Sequence, residues 1–129
     1  MEIETAVAVE PAGHSNPVNL TAFAELGISN PAEIRKFLVS FIEESSKDLG
    51  KMRTALAHED IVILHALAHR ARSPAMMLGT AGFSSLCRAL EDIKDTGGIE
   101  QAHGIVNQLG TELERIRKQV DYINRTELA

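Results

Sequence analysis

The sequence predicts an all-α protein, an antiparallel up-down-up-down four-helix bundle with a short additional N-terminal helix. Four segments repeat apolar residues at steps of three and four, which is the period of one helix face. No segment alternates apolar and polar residues as a half-buried strand does. The connections between the four segments are short, and short connections favour antiparallel packing of neighbouring helices.

The N-terminal residues differ from the rest of the chain. Residues 1–17 are rich in Pro and Gly and show no helical period, so we interpret them as a flexible leader or linker. A short helix is then predicted over residues 19–26, with Gly27 as its C-cap. The bundle domain is placed at residues 18–126.

Asn30 and Pro31 mark the start of the first long helix, because Asn is a favoured N-cap and Pro is favoured at the first helical position. The apolar stripe that follows predicts a helix of roughly 25 residues. Residues 58–60 are interpreted as a tight connection, and a third helix is predicted over residues 60–78. The stripe on the first long helix consists of Ile34, Phe37, Leu38, Phe41, Ile42, Ser45, Leu49, Met52 and Leu56.

Glycines separate the last helices. Gly79 and Gly82 bracket the break after the third helix, and the fourth amphipathic stretch ends at Gly97 and Gly98. The last helix repeats apolar residues at alternating steps of three and four, a heptad seam that indicates lengthwise packing in a bundle. The fourth stretch carries Phe83, Leu86, Cys87, Leu90 and Ile93, and the seam consists of Ile99, Ala102, Val106, Leu109, Leu113, Ile116, Val120 and Ile123.

Composition excludes several function classes. The chain has 129 residues and a net charge of −5, which argues against a generic nucleic-acid binder because such proteins need a basic face. Its single cysteine cannot form an internal disulfide or a Cys-rich metal site. No apolar run is long enough to span a bilayer, and the acidic N-terminus is unlike a signal peptide. We therefore expect a cytoplasmic protein that binds neither nucleic acid nor membrane.

The third helix divides into an apolar face and an exposed face. At about 100° per residue, His69 lies opposite the apolar face, and Arg72 lies about 60° to one side of it. Val62 and Met76 fall within about 40° of His69, and exposed apolar groups beside a polar centre indicate a docking patch. The residues predicted to form this docking surface are Val62, His65, Ala66, Ser73 and Met76.

His69 is the candidate for covalent chemistry on this face. An exposed histidine is more often a plain surface residue, but a neutral imidazole is also a nucleophile near neutral pH. The Arg72 guanidinium, three residues further on, can stabilise the oxygens of an incoming phosphoryl group. The chain carries neither a glycine-rich phosphate loop nor a nucleotide-binding motif.

Two runs of residues carry a resemblance to a known family. The first is A-H-R-A-R-S-P-A-M-M-L-G at residues 68–79, and the second is L-C-R-A-L-E at residues 86–91. Together they resemble the histidine-containing phosphotransfer (HPt) family, whose pattern is A-H-x-L-K-G-x-(S/A)-x-x-x-G followed by L-C-x-x-L-E on the next helix. The resemblance extends over about residues 18–125 and includes the helix start at Asn30 and Pro31.

The resemblance implies a phosphorelay intermediate without kinase activity of its own. His69 would take a phosphoryl group from the aspartyl phosphate of one receiver domain and pass it to the aspartate of another. Arg72 stands where the family has Lys and would stabilise the phosphoryl group. The implied partners are response-regulator receiver domains and a sensor or hybrid histidine kinase. The chain would need no cofactor, since Mg²⁺ belongs to the receiver, and we expect a monomer.

Besides Arg72, three residues near His69 differ from those usual in the family. Ser73 replaces the Gly usually found four residues after the histidine and narrows the space beside the imidazole. Pro74 lacks an N–H and crowds the Arg70 carbonyl, so we expect a kink or local loosening near the site. Ala71 is smaller than the usual Leu. The alternative function is therefore an adaptor that docks a receiver or an enzyme without phosphotransfer.

Other side chains near the site have plainer interpretations. His65 and His69 are four residues apart and can ligate a transition metal, but no carboxylate or cysteine joins them within a turn, so a metal-binding bundle is the less favoured alternative. Cys87 shares the apolar face of its helix and is expected to be buried. Met77 is placed at the core boundary. For Glu91, a solvated helix charge is at least as well supported as a catalytic role.

Overall fold

The computed structural model describes residues 16–127, and all regular structure in this range is helical, without a strand. The predicted all-α class is therefore confirmed. The helices are α1 (Thr21–Glu25), α2 (Pro31–Ala57), α3 (Ile61–Met77), α4 (Ala81–Glu91) and α5 (Ile99–Glu127), with a 3₁₀ turn at Thr96–Gly98 before α5. None of these helices is both long and apolar enough to span a membrane.

Four of the helices enclose the core. α2 and α4 each pack against both α3 and α5, so α3 lies between α2 and α4. Phe41 of α2 and Phe83 of α4 meet edge to face, with ring centroids 5.4 Å apart. The up-down-up-down order of these helices stays a prediction. The large side chains that are fully buried include Phe23, Leu38, Met52, Leu64, Phe83, Leu90, Leu109 and Ile116.

Side-chain caps determine where α2 and α3 begin. The Asn30 side-chain oxygen accepts a hydrogen bond from the Ala32 N–H at 2.8 Å, and Pro31 occupies the first helical position. Asp60 Oδ1 likewise accepts from the Ile63 N–H at 3.1 Å. Both caps satisfy N–H groups that have no partner within the helix. The two helices therefore begin within one residue of the predicted positions.

The first described residues pack across the end of α3. Val18 is buried and exchanges two hydrogen bonds with the Gln119 side chain of α5, at 2.9 and 3.1 Å. The Asn19 N–H donates to the Gly79 carbonyl at 2.7 Å. Gly79 has a φ of +75°, and a Cβ there would collide with the Asn19 carbonyl oxygen, so this crossing requires glycine. Most of the predicted leader, residues 1–15, lies outside the described residues.

The fourth helix ends earlier than the amphipathic pattern predicts. α4 stops at Glu91, and Ile93 is buried although it lies beyond the helix. Asp95 Oδ1 accepts from the Gly97 N–H at 2.9 Å and begins the 3₁₀ turn that leads into α5. An apolar residue can reach the core from a loop as well as from a helix, so the spacing of Ile93 does not distinguish the two.

Two apolar residues near α3 are more exposed than the pattern predicts. Phe37 of α2 is 45% exposed and Met77 of α3 is 58% exposed. Met77 lies about 80° from His69 around the helix axis, on the half of α3 that faces solvent, so its placement at the core boundary is wrong. α3 continues through Pro74 to Met77. The kink or local loosening expected at Pro74 stays a prediction.

Candidate functional site

α3 presents an exposed ridge between its neighbours α2 and α4. The His69 side chain in the middle of the ridge is 67% exposed. Val62 is 79% exposed and Met76 is 61% exposed, and each lies roughly 10 Å along the helix from His69. The remaining residues of the predicted docking surface complete what we call the α3 ridge: Ala66 and Ser73 are exposed, and His65 is half-buried.

The His69 ring is held by a carboxylate from the neighbouring helix α4. Its Nδ1 atom lies 3.0 Å from Glu91 Oε1. The Glu91 side chain is only 11% exposed, so it approaches the imidazole from beneath the surface. The imidazole is therefore oriented by α4 although it projects from α3.

The same carboxylate also binds Arg72. Arg72 Nε donates to Glu91 Oε2 at 2.6 Å, and its Nη2 donates to Glu91 Oε1 at 3.5 Å. The Arg72 side chain is 27% exposed, and the Ser84 hydroxyl of α4 donates to the Arg72 carbonyl at 3.4 Å. His69, Arg72 and Glu91 thus form one hydrogen-bonded group across the α3–α4 interface.

The protonation of this group follows from its contacts. Burial raises the pKa of the Glu91 carboxyl, but hydrogen bonds from His69 and Arg72 lower it by more, so the pKa lies below its ordinary value of 4.5. Glu91 is then ionised at neutral pH and can only accept hydrogen bonds. His69 Nδ1 must therefore carry the hydrogen in this contact. In a neutral imidazole with that hydrogen, the nucleophilic lone pair is on Nε2.

A second charge pair lies on the opposite side of α3. Arg70 Nη2 donates to Asp48 Oδ1 of α2 at 2.5 Å. The Asp48 side chain is 12% exposed and the Arg70 side chain is 61% exposed. Among the described residues, neither member of this pair bonds to His69. The imidazole is therefore connected to α4 and not to α2.

Glu91 is the site residue that sequence reasoning missed. Of its two interpretations, the solvated helix charge is wrong, because only 9% of the residue is exposed and its carboxylate bonds to His69 and Arg72. Glu91 lies four residues after Cys87 and eight after Phe83, which places it at the edge of the apolar face of α4. That position, together with the final E of L-C-x-x-L-E, is the sequence feature that could have identified Glu91 as a site residue.

The alternative sites have little support in the described part of the chain. No group of three or more His, Cys, Asp or Glu side chains there could hold a metal ion. Cys87 is fully buried, as predicted. Burial and the nearby negative charges of Glu91 and Asp48 raise the pKa of the Cys87 thiol to about 12. Because the thiolate is the reactive form, Cys87 is a packing residue and not a nucleophile.

Comparison with known proteins identifies one family. A family model described as Hpt domain matches residues 36–119, which is more than half of the chain. The match begins within α2, includes all of α3 and α4, and ends within α5, so it contains the α3 ridge and Glu91. No curated protein and no solved structure shows significant similarity to the chain.

Proposed function

Because the chain belongs to the Hpt domain family, we propose that it is a phosphorelay carrier whose His69 receives and passes on a phosphoryl group. Domains of this family are phosphocarrier modules that interact with receiver domains and kinases in phosphorelays, rather than enzymes with their own catalytic turnover. The observation that supports His69 as the carrier is its bond from Nδ1 to Glu91, which leaves Nε2 available on an exposed ridge.

The proposed transfer is a displacement at phosphorus. The Nε2 lone pair of His69 attacks the phosphorus atom of an aspartyl phosphate on the partner. The N–P bond forms as the bond from phosphorus to the aspartate oxygen breaks, and the aspartate leaves as a carboxylate. The reverse displacement by a second partner's aspartate returns the phosphoryl group. No proton has to leave Nδ1 in either direction.

Glu91 is proposed to position His69 and to stabilise its charge. As the N–P bond forms, the imidazole ring becomes positively charged, and the Glu91 carboxylate 3.0 Å from Nδ1 stabilises that charge. The same bond keeps the ring in one orientation, which places Nε2 toward the partner. The role resembles that of a carboxylate that orients a catalytic imidazole in other sites.

Arg72 is proposed to bind the oxygens of the phosphoryl group. A guanidinium has five N–H donors, and Arg72 uses its Nε and Nη2 atoms on Glu91. Donors therefore remain for a phosphoryl group on the adjacent His69. Because Glu91 anchors the guanidinium, less side-chain freedom is lost when the phosphoryl group binds. Any Mg²⁺ needed for the exchange is proposed to lie on the receiver.

The α3 ridge is proposed as the surface on which the receiver docks. Val62 and Met76 are large apolar side chains that stay exposed on either side of His69. Ala66 and Ser73 between them are small, so a partner backbone can approach the imidazole closely. A partner centred on His69 would cover both apolar residues and exclude water from the reacting atoms.

A labelling experiment tests the carrier proposal. The chain is incubated with a radiolabelled, phosphorylated receiver domain and Mg²⁺, and the label on the chain is tested for stability in acid and in alkali. We expect label that is lost in acid and kept in alkali, as for a phosphoramidate, and its absence from His69→Gln. The matched control is His103→Gln, since His103 is an exposed histidine on α5, and it should take the label normally.

Two results would contradict the proposal. Label that persists in His69→Gln would assign the chemistry to another residue. Normal receiver binding with no label on the wild-type chain at any pH would instead support the adaptor, in which Ser73 and Pro74 near the imidazole prevent transfer.

A further inference from the structure

A groove between α3 and α4 lies beside the α3 ridge. It has a volume of about 300 Å³. Arg72 and Met76 form its α3 wall, and both lie within about 60° of His69 around the helix axis, so the groove opens on the same side of the molecule as the imidazole. The α4 wall consists of Ala81, Ser84, Ser85 and Arg88.

The position of Arg88 on α4 directs it toward this groove. Ser84, Arg88 and Glu91 follow one another at steps of four and three, so they share one stripe of the helix. The first and last of them contact α3, because Ser84 donates to the Arg72 carbonyl and Glu91 accepts from the Arg72 guanidinium. Arg88 lies between these two contacts and is itself exposed.

The groove carries an uncompensated positive charge. Its lining contains two guanidiniums and two hydroxyls but no carboxylate. The charge of Arg72 is compensated by Glu91 at 2.6 Å. Arg88 forms no ion pair with any of the described residues. An anionic group of a partner would therefore find a free guanidinium at this place.

A second groove, on the other side of α3, is lined by more negative than positive side chains. It lies between α2 and α3, has a volume of about 320 Å³ and is lined by Glu44, Asp48 and Arg70 together with the partly exposed Phe37. Two carboxylates there face one guanidinium. A partner that covers His69 therefore meets positive charge on the α4 side and negative charge on the α2 side.

We propose that Arg88 binds an acidic side chain of the partner protein that docks on the α3 ridge, and thereby sets the partner's orientation over His69. A guanidinium matches a carboxylate in shape and charge and can bind it through two parallel hydrogen bonds. Arg72 is the cation adjacent to His69 and binds the phosphoryl oxygens. Arg88 lies further along the groove and binds the acidic side chain of the partner. This inference rests on the proposed carrier function.

The test measures transfer from a phosphorylated receiver domain that labels the wild-type chain. Single-turnover rates at increasing receiver concentration are measured for wild type, Arg88→Ala and Arg88→Glu. They give the half-saturating receiver concentration, written KM, and the maximal rate constant of transfer, written kcat. We expect KM to rise about threefold for the alanine variant and about tenfold for the glutamate variant, with kcat unchanged. The rise should shrink as salt is added, because salt screens exposed charges over about 8 Å at 0.15 M.

A matched charge reversal provides the control. Lys118 is an exposed cation on α5, the helix that packs against α2 and α4 rather than beside the ridge, so Lys118→Glu should leave KM unchanged. Equal KM values for Arg88→Glu and Lys118→Glu would overturn the inference while leaving the carrier function intact. A lower melting temperature of Arg88→Glu with an unchanged KM would also overturn it, since Arg88 in the last turn of α4 would then only stabilise that helix. A wild-type chain that takes no label would overturn both proposals.

Discussion

On its α4 side, α3 places Arg72 against the buried Glu91, and on its α2 side it places Arg70 against the buried Asp48. Both pairs join a guanidinium of α3 to a carboxylate of a neighbouring helix. The difference is that Glu91 also bonds to His69, whereas Asp48 forms no hydrogen bond to His69 among the described residues. A buried acid paired with an arginine is therefore not by itself a functional feature. The hydrogen bond from His69 to the Glu91 carboxylate is what distinguishes the α4 side.

Helix geometry explains why the two sides differ. Arg72 lies about 60° from His69 around α3, and Arg70 lies about 100° from it in the other direction. A carboxylate that meets Arg72 is close enough to meet the imidazole as well, while one that meets Arg70 is turned away from it. The two pairs have the same chemical groups but lie at different angles from His69 around the α3 axis. Substitutions in one pair are therefore matched controls for substitutions in the other.

The largest effect is expected from removing the carboxylate on each side. Glu91→Ala should lower the rate of phosphotransfer by about tenfold to a hundredfold, because Nδ1 loses its acceptor and the charged ring loses its counterion. Asp48→Ala should leave kcat within about twofold. Glu91→Ala should lose about 1 to 3 kcal/mol of the free energy of unfolding, since it leaves the mostly buried Arg72 without its partner. Asp48→Ala should lose about 1 kcal/mol or less, since Arg70 is 61% exposed and water can solvate it.

Single-turnover transfer and chemical denaturation measure these two quantities. Equal losses of transfer in Glu91→Ala and Asp48→Ala would show that the bond to His69 has no special role. Glu91→Gln refines the comparison, because its amide oxygen still accepts from Nδ1 but carries no charge, so its rate should fall between those of the wild type and Glu91→Ala.

The next largest effect is expected from the arginines. Arg72→Ala should reduce the transfer rate about tenfold, because one donor to the phosphoryl oxygens is lost. Arg72→Lys should recover part of that rate, since it keeps the charge but not the forked geometry. Arg70→Ala should change the rate less than about twofold. The three rates come from the same quenched-flow experiment, and an Arg70 effect as large as that of Arg72 would contradict the assignment.

A smaller effect is expected from apolar residues of the ridge. Val62→Asp and Met76→Asp should each raise KM for the receiver about fivefold with little change in kcat or in the unfolding curve, because both side chains are already exposed. Phe37→Asp, in the groove on the α2 side, should raise KM less. Receiver binding that is unchanged in both ridge variants would remove the docking role of the α3 ridge.

The smallest effect is a pH dependence of stability. The pKa of Glu91 lies below 4.5 in the folded chain. At a pH above the pKa that Glu91 has in the unfolded chain, ionised Glu91 therefore stabilises the folded state. This contribution is lost as the pH falls through the lowered pKa of the folded chain. Denaturation at several pH values should therefore show wild type more stable than Glu91→Gln by about 1 kcal/mol near neutral pH. The difference should shrink below pH 4.5. A difference that grows on acidification would contradict the lowered pKa.

Much of the fold could be predicted because its signals are local. The Asn30 and Pro31 start of α2 depends on the cap chemistry of adjacent residues, and the face of α3 that carries His69 follows from a fixed rotation per residue. The end of α4 could not be predicted in this way. Ile93 continues the apolar spacing of the helix, yet it reaches the core from the segment that follows.

The candidate site could be predicted only in part, for a related reason. His69 and Arg72 lie one turn apart on one helix, so the sequence predicts their proximity. Glu91 follows His69 by 22 residues and belongs to another helix, so its bond to the imidazole depends on how α3 packs against α4. Sequence spacing places Glu91 at the edge of an apolar face but does not say which side chain it meets.

The proposed role of Glu91 determines which nitrogen atom of His69 carries the phosphoryl group. Phosphorus NMR of the phosphorylated chain, together with tandem mass spectrometry of its peptides, distinguishes Nε2-phosphohistidine from the Nδ1 isomer and from phosphoserine. Because Nδ1 donates to Glu91, we predict phosphorylation at Nε2 of His69 alone. A phosphoryl group on Nδ1, or an acid-stable one on Ser73, would contradict it.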